Sequence, residues 1–244
     1  MNPVTQKAIA FLEQRLVKSA TVLAVRVWSP ATFIEIDLHM PGVDMSKWYE
    51  VQHIKCKVGP LIYRDYTPSG WDAGTQTCTL FIDAAHEGPG SRWAKSLERG
   101  DTLSYLGISS SHHRPAGDKR LVFLGDESAI GHFLALGQLV NRRLTHGRPV
   151  DDRPSVCGAI AIAENHHRDE FGSYFPHSGL EAVNKMHRAD YSALENWIDD
   201  YRVDELSDTV FYLAGHIPSM VRLRKMLRQK GCAGSQVRVQ GFWD

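Results

Sequence analysis

The 244-residue chain has no excess charge of either sign: 28 Lys and Arg balance 28 Asp and Glu. That balance argues against a nucleic-acid binder working by bulk charge, though it leaves room for a local basic pocket. Cysteine is sparse. Cys56, Cys78, Cys157 and Cys232 lie far apart and form no C-x-x-C. They offer no ligand set for zinc or an iron–sulfur cluster and fit a reduced, cytoplasmic protein. Any electron chemistry would then need an organic cofactor. Long apolar runs are also missing. The stretch 156–163 is only of strand length, so no membrane span is expected. The opening MNPVTQKAIAFLEQRL lacks the basic-then-apolar order of a signal peptide. It reads as an amphipathic helix over residues 1–19, with Ile9, Phe11, Leu12 and Leu16 near one face. Neither G-x-G-x-x-G nor H-E-x-x-H occurs. The adjacent pairs His112-His113 and His166-His167 diverge on helix or strand, so no metal site is expected.

What is present is an ordinary globular composition, 43% hydrophobic and 23% charged, in two rhythms. Residues 21–27, 32–39, 51–57, 77–84 and 102–106 read as short strands between Pro- and Gly-containing turns. Such spacing suggests an antiparallel sandwich or barrel. Residues 109–118 are polar and read as a linker. Beyond them, strands at 121–124, 156–163 and 209–214 alternate with helical patterns at 128–143, 177–188, 191–201 and 220–229. A closing strand is expected at 237–240. Strand–Gly–helix units in series imply a parallel α/β sheet with a ligand crevice at the strand C-termini. The division is therefore residues 1–19 as a helix, 20–117 as a β-barrel domain and 118–244 as an α/β domain.

Residues 61–72 hold the most informative segment, centred on Arg64-Asp65-Tyr66-Thr67. On a strand, Arg64 and Tyr66 share one face, and Pro68 and Gly70 end the strand after Thr67. A guanidinium for a phosphate, a flat ring and a hydroxyl beside it suit a flavin nucleotide. Three Gly-containing junctions follow. The first runs Ala84-Ala85-His86-Glu87-Gly88-Pro89-Gly90-Ser91-Arg92-Trp93-Ala94. Its glycines would let backbone N–H groups approach an anion, and Ser91 would cap the helix whose dipole faces it. The second is Gly125-Asp126-Glu127-Ser128, and the third Ala214-Gly215-His216.

In this order, these parts resemble the ferredoxin–NADP reductase superfamily, and more closely the siderophore-interacting proteins, which are FAD-dependent ferric-siderophore reductases. The tail Val239-Gln240-Gly241-Phe242-Trp243 is similar to that family's aromatic ending. The resemblance covers residues 20–244. It implies a barrel that binds FAD, an α/β domain that binds NADPH or NADH, and a ferric siderophore as substrate. Arg64 would contact an FAD phosphate, Tyr66 would pack on the isoalloxazine and Thr67 would bond near its N5. Gly90 and Ser91 would hold the pyrophosphate within the segment that also carries Ala85, His86, Gly88, Arg92 and Trp93. Gly125, Asp126, Glu127, Ala214 and Gly215 would border the nicotinamide, and Trp243 would wall the flavin. The chain departs from the family pattern at Glu87, where a Gly is usual, and at His216, where an acidic residue is usual.

An anionic ferric chelate calls for a basic mouth. Lys55 and Lys57, two apart on one strand, and Arg92 are its candidates; otherwise they are plain surface cations. Glu164 would accept from a ribose 2′-OH and favour NADH. His166, His167 and Arg168 would meet a 2′-phosphate, and their number favours NADPH. Two other readings stand beside the reductase. One is a flavin- or siderophore-binding protein without nicotinamide turnover. The other is a flavin reductase served by ferredoxin or another redox partner.

Overall fold

The computed structural model describes residues 16–111, 113–117, 119–144, 156–187, 189–201 and 208–244. Most of the expected N-terminal helix, His112 and Asp118 lie outside the described residues. Lys18 and Ser19, assigned to that helix, instead open the first strand.

The first sheet contains β1 (Lys18–Trp28), β2 (Phe33–His39), β3 (Gln52–Gly59), β4 (Ile62–Tyr66), β5 (Pro68–Asp72), β6 (Thr77–Asp83) and β7 (Thr102–Ser110). Helix α1 (Pro89–Ser96) lies between β6 and β7. The strand order is β4-β3-β7-β1-β2-β6-β5 and every neighbouring pair is antiparallel. β4 and β5 sit at opposite edges, yet only Thr67 separates them in the chain. One residue spans about 3.5 Å, so the sheet must curl until its edges meet. This is the expected barrel, with one correction. The strand does stop near Thr67, but Pro68 opens another at once; a proline is tolerated there as the first residue of an edge strand. β7 also absorbs Ser109 and Ser110, read as linker.

The second sheet contains β8 (Arg120–Asp126), β9 (Val156–Ile162), β10 (Leu180–Asn184), β11 (Thr209–His216) and β12 (Val237–Trp243). Its order is β10-β9-β8-β11-β12, parallel throughout. The helices are α2 (Ile130–Leu144), α3 (Asn165–Tyr174), α4 (Ser192–Asp200) and α5 (Ile217–Gln229). The strand order reverses between β8 and β11, which puts a crevice at their C-terminal ends.

The helical pattern expected over 177–188 is overturned. β10 occupies its centre, paired in parallel with β9. Gly179, at φ +74°, makes the turn into it, and any side chain there would strike the Val156 carbonyl. Leu, Glu and Ala are good helix formers, but pairing to β9 overrides that preference. Helix α3 was not anticipated, because only His167 and Phe171 of it are buried.

The side-chain alternation of β8 explains how the halves join. Leu121 and Phe123 face a core continuous with the barrel residues Trp28, Phe33 and Leu80. Val122 and Leu124 face a second core with Leu194, Ile198, Met220 and Leu223 of α4 and α5. Gln138 of α2 ties the halves further, accepting from Trp71 N (3.1 Å) and donating to Trp71 O (2.7 Å).

Candidate functional site

The end of β4, the turn before α1, the start of α2 and the end of β12 surround a cleft of ≈ 750 Å³. That is ample for a nucleotide cofactor. Of the residues expected at a site, Arg64, Tyr66, Thr67, His86, Gly88, Gly90 and Trp243 line it. Period-2 alternation does place Arg64 and Tyr66 together. A Cβ on Gly90 would collide with the Tyr66 hydroxyl and touch Arg64 Cγ at 3.6 Å. A glycine is therefore what lets α1 approach β4. Tyr66 is backed by Trp93, with centroids 5.6 Å apart and planes at 16°. Burial pushes the Tyr66 phenol well above its usual range, so it stays protonated.

The start of α1 differs from the expectation. Pro89 is its first residue and Gly88 its N-cap, with no side-chain cap. This follows from proline's preference for the first helical position. Ser91 is no cap: it lies inside the helix, 1% exposed, and its Oγ has no hydrogen-bond partner among the described residues. The loop before the helix is held by His86 Nδ1, which accepts from Gly88 N at 3.0 Å, and by Asp83, which accepts from Ala85 N at 3.0 Å. Arg92 is exposed and donates to the Glu87 carbonyl.

An anion would find here an exposed guanidinium at Arg64, the uncapped positive end of a helix and a backbone approach kept open by Gly90. These donors fit the phosphates of a flavin dinucleotide. Thr67 sits where the start of α2 approaches the barrel, since a Cβ on Gly131 would lie 3.2 Å from the Thr67 carbonyl.

Gly125, Asp126, Glu127, Ala214 and Gly215 do not line this cleft; they form the adjacent crevice at the ends of β8 and β11. Asp126 is fully buried. It accepts from Ser128 N (3.0 Å), His216 N (3.0 Å) and Tyr191 Oη (2.5 Å). Gly215 leaves the space for that carboxylate. Glu127 accepts from Ala163 N (2.7 Å) and pairs with Lys185 Nζ at 2.5 Å, the lysine side chain being 3% exposed. Burial pushes the Glu127 carboxyl up, while Lys185 opposes the shift. His216 stacks on Tyr191 (5.6 Å, 11°) and meets Trp243 at 4.3 Å. Trp243 Nε1 also donates to Ser128 Oγ at 3.3 Å, so the tail bridges crevice and cleft.

Two expectations about cations change. Lys55 and Lys57 line neither cleft nor crevice, and Lys55 is paired with Asp65 at 3.4 Å. His167 is removed from any 2′-phosphate set: it is buried against the barrel, its Nε2 2.9 Å from the Pro30 carbonyl. Arg168 bonds Ile162 O and Asn184 Oδ1. Sequence reasoning missed His53, Ser128 and Gly131, which line the cleft, and Tyr191 and Lys185, which tie down the crevice. The alternation that buries Ile54, Cys56 and Val58 could have turned His53 to the other face. Nothing local marks Tyr191 or Lys185.

A larger cavity of ≈ 870 Å³ lies across Phe81, between barrel and α2. It holds none of the expected site residues, and Arg26, its barrel cation, is occupied by Glu35 and Asp37. The smaller, more polar cleft is the candidate site.

No protein-family model matches the chain, nor does any curated protein. Solved structures do. The siderophore-interacting protein from Acinetobacter baumannii matches with TM-score 0.73 at 17% identity, over 93% of this chain and 89% of that one. A siderophore utilization protein from T. fusca matches with TM-score 0.66 at 20% identity, over 93% of each chain. The ferredoxin reductase in carbazole 1,9a-dioxygenase matches with TM-score 0.72 at 16% identity, over 93% of this chain and 69% of that one. That reductase is also known in an FAD apo form. The chain thus has the two-domain, ferredoxin reductase-like fold that siderophore-interacting proteins share.

Proposed function

We propose that this protein is an FAD-dependent reductase that passes electrons from NAD(P)H to a ferric siderophore and so releases Fe(II). The observation that carries the reading is the convergence of Arg64, Tyr66 and Thr67 on the uncapped α1 start, with Gly90 kept bare. FAD, when bound, would couple a two-electron donor to one-electron acceptors, which side chains cannot do. Arg64 would hold a phosphate, and Tyr66, braced by Trp93, would present a flat wall to the ring system. Thr67 would supply a hydroxyl at the ring edge. Gly90 and Ser91 would hold the pyrophosphate, with His86, Gly88 and Arg92 shaping that loop. Trp243 would cover the cleft on the α/β side. Gly125, Asp126, Glu127, Ala214 and Gly215 would form the wall against which the nicotinamide lies. Fold likeness to siderophore-interacting proteins supports the substrate class by analogy alone.

A second reading draws on the crevice itself. Asp126 is saturated, and His216 is stacked between Tyr191 and Trp243. A crevice filled in this way would suit a flavoprotein that takes electrons from ferredoxin or a similar partner, or one that binds without nicotinamide turnover. Anaerobic titration with NADPH and NADH tests the choice. Bleaching of the flavin by either supports the reductase; an oxidised flavin that only a protein donor reduces supports the second reading.

A further inference from the structure

Three histidines lie in a row between the candidate cleft and the junction of the two sheets. His53, on β3, lines the cleft. His132, in the first turn of α2, is fully buried. Its ring meets His53 edge-on at 6.1 Å and His113 at 5.0 Å. His132 Nε2 and His113 Nδ1 are 2.9 Å apart, a hydrogen bond in which one imidazole donates and the other accepts. Phe242, which lines the cleft, packs on His53 (6.2 Å) and His132 (5.6 Å) and seals the row on that side. His53 Nε2 and His132 Nδ1 are both shielded from solvent, and neither has a partner among the described residues. Polar nitrogens so placed are costly, and one buried water between two rings would satisfy both.

We propose that His53, His132 and His113 form a proton relay that serves the cleft. Imidazole can accept a proton on one nitrogen and release one from the other, so hydrogen-bonded imidazoles can pass a proton along. A relay needs rings that stay neutral at rest. The groups facing the row allow that. Asp65 of β4 faces His53, and it is already paired with Lys55. From α2, Phe133 contacts His132. From β11, the Tyr212 ring contacts His113, while its hydroxyl donates to the Arg114 carbonyl at 2.6 Å. Arg238 of β12 lies over that tyrosine rather than on the histidines. Among the described residues no carboxylate faces His132, and burial holds His53 and His132 below the ordinary imidazole range. Among the described residues, no group of three or more His, Cys, Asp and Glu could hold a metal.

The proposed reaction supplies the proton. One NAD(P)H gives two electrons, two Fe(III) become two Fe(II), and NAD(P)⁺ and one proton remain. That proton arises in the cleft and must leave it. The row is a path from the cleft to the polar segment around Ser111 and Arg114. The relay rests on the reductase reading, because an electron donor that carries no hydrogen leaves no proton behind.

The test begins on the intact protein without flavin, so that it does not depend on turnover. Imidazole nitrogen resonances are followed from about pH 5 to about pH 9 in wild type, His53→Gln and His132→Asn. The relay predicts that His53→Gln shifts the His132 nitrogens and that His132→Asn moves the His53 titration midpoint. A His53 midpoint unchanged in His132→Asn, with His132 nitrogens unmoved in His53→Gln, would overturn it. If buried His132→Asn fails to fold, His53→Gln alone still decides. A second arm uses protein loaded with FAD, with NADPH and a ferric hydroxamate. Here His53→Gln, assayed at saturating FAD, should slow proton release about tenfold or more, with the rate rescued by added imidazole. Wild-type release without rescue would also overturn the relay. Failure of NADPH to reduce the flavin would instead sink the reductase reading, and the nitrogen spectra would still judge the row.

Discussion

Arg64 is the residue on which the cofactor reading turns. Its side chain is exposed and, among the described residues, bonds only to the Tyr63 carbonyl, at 2.7 Å. Arg64→Ala should leave the flavin-free thermal midpoint unchanged. It should weaken FAD binding by about 10- to 100-fold, the scale of one charge-assisted hydrogen bond; flavin fluorescence titration checks both. Gly90→Ala is the complementary case, because the added methyl meets Tyr66 Oη. It should cost about 1–3 kcal/mol in denaturant unfolding, and pairing it with Tyr66→Phe should recover part of the loss. Lys185→Met should be costlier still, about 3–5 kcal/mol, since it strands Glu127 as a buried charge. The shared face of Arg64 and Tyr66 was legible in the sequence, because alternation along a strand is purely local. Ser91's place was misread because a cap depends on where the helix starts. Pro89 carried that information. Tyr191 and Lys185 were invisible, being brought to Asp126 and Glu127 by tertiary contacts alone.

At the scale of elements, α2 carries one buried source of pH dependence. Burial holds the His132 imidazole well below its ordinary range. The unfolded chain takes up a proton near about pH 6.5, which folded His132 refuses. Stability is therefore full above that pH and falls as pH drops through it. The thermal midpoint should decline from about pH 7.5 to about pH 5.5, and the decline should be shallower in His132→Asn. A decline as steep in His132→Asn as in wild type would contradict the burial of neutral His132. The elements also mark the limits of sequence pattern. β8 and β11 read clearly as apolar runs, as parallel strands buried on both faces should. β10 did not, because only its pairing to β9 separates it from a helix. β5 was hidden by Pro68 and Gly70, which suit the edge of a curled sheet as well as a turn.

For the whole molecule, the decisive feature is how the sheets meet. The barrel presents β4 and α1 to one side of a cleft, and the parallel sheet brings Ser128 and the β12 tail to the other. The crevice at the β8–β11 reversal lies beside it. In the proposed function, a two-electron donor would lie on one side and a flat cofactor on the other. The order of barrel, Arg-x-Tyr-Thr segment, glycine turn and α/β half was readable along the chain. The curling that joins β4 to β5 and the filling of the crevice by Asp126, Tyr191 and His216 were not. Among the described residues no helix is long and apolar enough to cross a membrane. The measurement that tests the account most directly is the anaerobic visible spectrum of the protein with FAD, before and after NADPH and then a ferric siderophore. The account predicts flavin absorbance that bleaches with NADPH and returns with the ferric chelate. A protein that takes up no FAD would contradict it at the cleft itself.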